Sequence, residues 1–174
     1  MGSEQQYVLD ANFFIEAYRG YYAFDLCPGF WESLDYYGAQ DTLVSVDRVR
    51  DELREGADLR QWKSNAPDGF FLSTNAEDVV AAYREAIRWA QQQDRFTEAA
   101  KAAFADKADA WVIATAKARD MILVTHEAAA PLSKKSVKIP DVCKALGVTC
   151  RKTFDILRSL HISYHWDRPT VAKV

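Results

Sequence analysis

Five short runs of apolar and β-branched residues, separated by stretches of helical periodicity, constrain the fold of this sequence more than any other feature. They are YVL at 7–9, TLVSV at 42–46, FFLS at 70–73, MILVT at 121–125 and VTC at 148–150. Runs this short and this apolar suit strands buried on both faces, the pattern of parallel sheet. Between them, AEDVVAAYREAIRWAQQQ repeats Val80, Tyr83, Ile87 and Ala90 at three and four residues, with Asn75 placed as an N-cap and Asp78 in the first turn. DAWVIATAKARD puts Val112 or Ile113 with Ala116 on another apolar face. PGFWESLDYY starts with Pro28 at a favoured first helical position, and IPDVCKALGVTC reads as a short helix ended by Gly147. Strands alternating with helices predict an α/β fold, a three-layer α/β/α sandwich with a mostly parallel central sheet.

At 174 residues the chain is expected to form a single domain over 1–160 followed by a C-terminal tail, 161–174. An apolar share of 49% supports a sizeable core and excludes a disordered chain. Net charge is 22 basic minus 25 acidic residues, or −3, so a polyanion would have to be met by local patches. No apolar run approaches a membrane span, and MGSEQQ is too polar and short for a signal peptide, so no membrane association and a cytoplasmic address are expected. Cys27, Cys143 and Cys150 form no CxxC pair and are expected to be reduced.

The acidic residues carry the functional signal. In an open parallel sheet, ligands sit at the carboxyl ends of the strands. Asp10 directly follows the first apolar run, so it is either an N-cap for the next helix or a ligand-binding group. Glu52 lies beside Leu53 at the edge of the apolar face formed by Val46, Val49 and Leu53. Asp109 opens a helix otherwise almost free of charge, and Glu127 follows ILVTH as Asp10 follows YVL. Two strand ends and two flanking helices thus place four carboxylates at one edge of the sheet. Crowded carboxylates repel unless cations or protons lie among them, and hard divalent ions prefer such oxygen ligands.

In order and approximate spacing, VLDANFFIEA, SVDRVRDEL and DAWVIATAKARDMILVTHE resemble the PIN-domain nucleases along residues 7–127. VKIPDVCKALGVTC matches that family's closing helix and strand. More narrowly, LDANFFIEAYRGYYAFDLCPGFWESL with THE and KIPDVCKALGV is similar to a PIN-like subgroup, the DUF4411 type, found as toxins of toxin–antitoxin pairs. The resemblance implies a Rossmann-like sandwich and a metal-dependent endoribonuclease, the toxin of a type II pair, inhibited by a protein antitoxin and often homodimeric. It implies that Asp10, Glu52 and Asp109 hold Mg²⁺ or Mn²⁺, with Glu127 completing the shell or holding a second ion. The family's usual fourth ligand is Asp, so Glu127, one methylene longer, must reach by another rotamer or through water; Asp141 is a substitute or supplement.

Asn12, Thr125 and His126 are candidates for support of the site. For RNA, the candidates are Arg48, Arg50 and Arg54 around Glu52, and Lys134, Lys135 and Lys138 after THE. The aromatic set YRGYYAF at 18–24 serves packing, a partner interface or base stacking. His161 and His165 lie in a stretch that reads as extended and carries no metal motif. A haloacid-dehalogenase-type phosphatase would need Asp where Asn12 stands, and a receiver domain an acidic pair that SEQQ does not supply. A catalytically degenerate domain binding RNA or protein remains the alternative, and single-stranded DNA an alternative substrate.

Overall fold

The computed structural model describes residues 5–166. Its sheet has five strands, β1 (Tyr7–Leu9), β2 (Leu43–Val46), β3 (Phe71–Leu72), β4 (Ile122–Val124) and β5 (Cys150–Arg151), in the order β3-β2-β1-β4-β5 and all parallel. β1 is central, pairing Tyr7 with Leu43 on one side and with Ile122 on the other. The chain winds outward from it in both directions, which makes the carboxyl ends of β1 and β4 a topological switch point. The expected α/β/α sandwich is therefore present.

Nine helices surround the sheet among the described residues: α1 (Ala11–Arg19), α2 (Pro28–Gly38), α3 (Asp47–Glu52), α4 (Ala57–Asn65), α5 (Glu77–Gln91), α6 (Glu98–Asp106), α7 (Ala108–Arg119), α8 (Ile139–Leu146) and α9 (Thr153–Ser159). α7 packs across β1, β2 and β4, with α5 and α8 against it. Its run from Val112 to Ala116 is buried throughout, as a helix clasped between sheet and neighbouring helices requires. α8 ends at Gly147, whose φ of 72° suits a residue without a Cβ.

Two expectations need correcting. α5 is capped at Ala76, not Asn75, and buries Val79, Ala82, Ala86 and Ala90, whereas Val80, Tyr83 and Ile87 stand at the margin. Small side chains let α5 approach closely, and Val79 and Ala82 meet Ala114 of α7. Val46 belongs to β2 rather than to the helix bearing Glu52; only Val49 and Leu53 continue its apolar contact.

Another helical layer is built on aromatic rings. Phe13 stacks on Phe30 at 5.6 Å and Phe14 lies 5.4 Å from Trp62. The 18–24 segment joins it, with Tyr22 stacked on Phe30 at 4.4 Å and Phe24 on Trp31 at 4.0 Å, while Tyr21 is 92% exposed. Tyr164 extends this packing, bonding Ser33 at 3.1 Å; residues 167–174 of the expected tail lie outside the described residues. The three cysteines are free. No helix among the described residues is long and apolar enough to cross a membrane.

Candidate active site

β1 ends at Leu9 and the chain turns through Asp10 directly into α1. The Asp10 carboxylate accepts from the Phe13 amide at 2.9 Å, which caps the helix, and from the Thr125 hydroxyl at 2.6 Å. The residue is 1% exposed. Burial outweighs the two hydrogen bonds and pushes its pKa up to about 7, with the charges of Asp109 and Glu127 adding to the rise. Asp10 is thus a helix cap, and it lies within electrostatic reach of Asp109 and Glu127.

Thr125, just beyond β4, couples two members of that cluster, since its oxygen also accepts from the Glu127 amide at 3.1 Å. Glu127 is fixed in turn by Lys138 at 3.0 Å and by the amide of Ile139, the first residue of α8, at 2.8 Å. Glu52 does the same for another helix. It is exposed, yet its carboxylate accepts at 2.9 Å from the amide of Ala108, the first residue of α7. The short helix that carries Glu52 is tied at both ends. Asp47 accepts from the Thr74 hydroxyl at 2.8 Å and amide at 3.1 Å, and Lys63 donates to the carbonyls of Arg50 at 2.8 Å and Leu53 at 2.6 Å.

Asp109 does not cap α7. Lys107 occupies that position, and Asp109 sits in the first turn of α7, where its carboxylate accepts no hydrogen bond among the described residues. Its pKa is pushed up to about 6, first by burial and then by Glu127, with Lys107 opposing, Glu52 raising it further and Lys138 opposing. The amino ends of α1, α7 and α8 therefore converge where Asp10, Glu52 and Glu127 meet them. Helix amino ends carry partial positive charge, which offsets part of the repulsion among these acids.

The remaining predicted residues fall in several places. Asn12 is half-buried in the first turn of α1 and makes no side-chain hydrogen bond among the described residues. His126 turns away from the acids, its Nε2 2.8 Å from the Thr153 hydroxyl, and desolvation lowers its pKa although the residue as a whole is exposed. Asp141 accepts from the Ala130 amide at 3.1 Å and so braces the loop after Glu127. Arg48 stands near the cluster, its guanidinium 5.2 Å from the centre of the Trp111 ring, whereas Arg50 makes a loose ion pair with Asp51 at 3.9 Å. Lys134 and Lys135 are exposed in the loop before α8. His161 and His165 lie outside any helix.

Sequence reasoning missed Lys107, which faces Asp109, and Lys152, whose ammonium donates to the carbonyls of His126 at 3.0 Å and of Glu127. It also missed Lys63. The Lys152 contacts, 25 and 26 residues apart in the chain, and those of Lys63, 10 and 13 apart, leave no local spacing to read.

Carboxylate oxygens are the donors a hard divalent cation prefers, and burial first, then neighbouring acids (Asp109 and Glu127 for Asp10, Glu127 and Glu52 for Asp109), hold Asp10 and Asp109 above their ordinary pKa. As the side chains stand, no three Asp, Glu, His or Cys residues among those described come close enough together to hold one. A family profile described as a domain of unknown function (DUF4411) matches residues 7–164, and the chain belongs to that family. No curated protein matches the sequence.

Proposed function

We propose that this member of the DUF4411 family is a metal-dependent endoribonuclease of PIN-like type, the toxin of a type II toxin–antitoxin pair. The observation that carries the reading is that the charges of Asp109 and Glu127 reach Asp10, and those of Glu127 and Glu52 reach Asp109, beside the switch point of a parallel sheet. Burial first, and neighbouring acids second, raise the pKa of Asp10 and Asp109, which is costly to the fold when they ionise, and a bound cation would offset that cost. Asp10, Asp109 and Glu127 would hold Mg²⁺ or Mn²⁺, with Glu52 at the outer edge. The ion would polarise a phosphodiester and lower the pKa of a bound water.

The chain's own residues prepare the site. Thr125 holds one oxygen of Asp10 and the backbone of Glu127 in fixed relation. The amides of Ala108 and Ile139 orient Glu52 and Glu127, while Lys107 and Lys138 temper the negative field around Asp109. The resemblance to toxins supports RNA as substrate, an antitoxin as partner and a homodimer as assembly.

One observation favours a second reading, a catalytically degenerate module that binds RNA or protein. Three of the four carboxylates already cap helices, which is a sufficient structural use for each. The two readings separate on purified protein, freed of copurifying partner and incubated with total RNA and Mg²⁺ or Mn²⁺. Fragments that appear with metal and vanish with EDTA and in Asp109→Asn support the nuclease. A folded protein that cuts nothing under these conditions supports the binding module.

A further inference from the structure

Cys143 and Cys150 stand on the two sides of one tight turn. α8 carries Cys143 and ends at Gly147, whose left-handed φ of 72° turns the chain back on the helix, where the Val148 amide donates to the Cys143 carbonyl at 2.8 Å. β5 then starts at Cys150, opposite Leu123 of β4. Two residues seven apart in the chain are thereby brought side chain to side chain. The Cys143 thiol hydrogen-bonds the Cys150 sulfur, and both residues pack in the main core. A disulfide needs the sulfurs to close to about 2.05 Å, which is a matter of side-chain torsions once the main chains of the two segments already meet.

The two thiols differ in access. Cys143 is 1% exposed, whereas Cys150 is half-buried and lines a surface cavity of about 430 Å³ with Thr125, Glu127 and Lys152. They differ in acidity in the same sense. The hydrogen bond keeps the proton on Cys143, whose pKa it raises, with burial adding to the rise. The same bond lowers the pKa of Cys150 against its burial and the charge of Asp10, with Lys152 and Arg151 assisting. Cys150 is thus the reachable sulfur and the better nucleophile, with Cys143 held against it from the core side. Cys27 precedes α2, in the aromatic layer.

We propose that Cys143 and Cys150 are a redox modification site, forming a reversible disulfide with hydrogen peroxide as oxidant, Cys150 attacking and Cys143 resolving. The Cys150 thiolate attacks one peroxide oxygen, the O–O bond breaks, and the leaving hydroxide takes up a proton to become water. The Cys143 sulfur then attacks the sulfur of the resulting sulfenic acid. The S–S bond forms, and the sulfenic hydroxyl leaves with the Cys143 proton as a second water. Two thiols are oxidised and one peroxide is reduced. None of this chemistry depends on the nuclease reading. The bond locks α8 to β5 beside the acids: α8 presents the Ile139 amide that holds Glu127 at 2.8 Å, and β5 the Arg151 carbonyl that accepts from the Thr125 amide at 3.1 Å.

The test exposes the full chain, reduced and freed of reductant, to equimolar hydrogen peroxide, followed by alkylation in denaturant and mass spectrometry. Two of the three thiols should escape alkylation, and dithiothreitol should restore all three. Trypsin cuts after Lys138, Lys144 and Arg151, so the disulfide should appear as residues 139–144 linked to 145–151. Cys143→Ser removes the resolving thiol and should leave Cys150 as a sulfenic acid that dimedone labels, while Cys150→Ser should keep Cys143 reduced. Retention of all three thiols by the folded, unsubstituted protein overturns the proposal, as does loss of Cys27 ahead of the pair or a cross-link through Cys27. Oxidation of Cys143 in Cys150→Ser as fast as in the unsubstituted protein overturns the assignment of Cys150 as the attacking sulfur.

Discussion

Asp10 is 1% exposed and continues the central strand, whereas Glu52 is exposed and ends a six-residue helix, yet a helix amide fixes each carboxylate. Their energetics differ accordingly. The buried acid destabilises the fold when ionised, and the exposed one is placed without that burden. A site assembled from both kinds has one part set by the sheet and another set by a short helix that Lys63 and Asp47 hold in place.

The same chemical change in both residues tests the difference. Asp10→Asn and Glu52→Gln each keep an amide oxygen for the capping bond and remove the charge. The largest effect expected is on RNA cleavage, which both changes should reduce to background if the four acids act together; full activity in either variant removes that residue from the set. The next largest is on stability, measured by denaturant unfolding in EDTA. Asp10 is protonated more readily in the folded state, at about 7, than in the unfolded chain, at 3.8. Its favourable contribution is therefore complete below the unfolded value and is lost as pH rises through about 7. Asp10→Asn should exceed the unsubstituted protein in stability by up to about 4 kcal/mol at pH 8, a gap that closes toward pH 4. A flat difference across that range would show that the carboxylate is not desolvated in solution.

Thr125→Val comes third. It leaves one oxygen of a buried carboxylate without its donor, so a stability loss of about 1–3 kcal/mol is expected together with a fall in cleavage of roughly 10–100-fold. Loss of stability with activity retained would make Thr125 a structural residue only. The smallest effect is Glu52→Gln on unfolding, within about 0.5 kcal/mol. A change as large as that of Asp10→Asn would erase the contrast with Asp10.

The strands were legible in the sequence for one reason. In a parallel sheet each strand is a short apolar run, and the residue that breaks the run stands at the carboxyl end of the strand, as Asp10 does after β1. Helix faces were less legible. The large residues Val80 and Ile87 suggested the buried face of α5, but the close approach of two helices selected Ala82 and Ala86 instead. α4, α6 and α9 were missed because each is short; α4, for example, buries only Leu59 and Trp62. Nor could any spacing reveal that Glu52 caps α7, whose first amide is 56 residues away, or that Glu127 caps α8. Those bonds exist only once the sheet has brought the segments together.

The sheet narrows toward its margins: β3 and β5, its outermost strands, are two residues each, against three or four for the strands between them. A margin this brief gives a neighbouring chain hardly any row of amides and carbonyls on which to zip up. Copies of the protein that meet should therefore join through side chains rather than by runaway strand pairing.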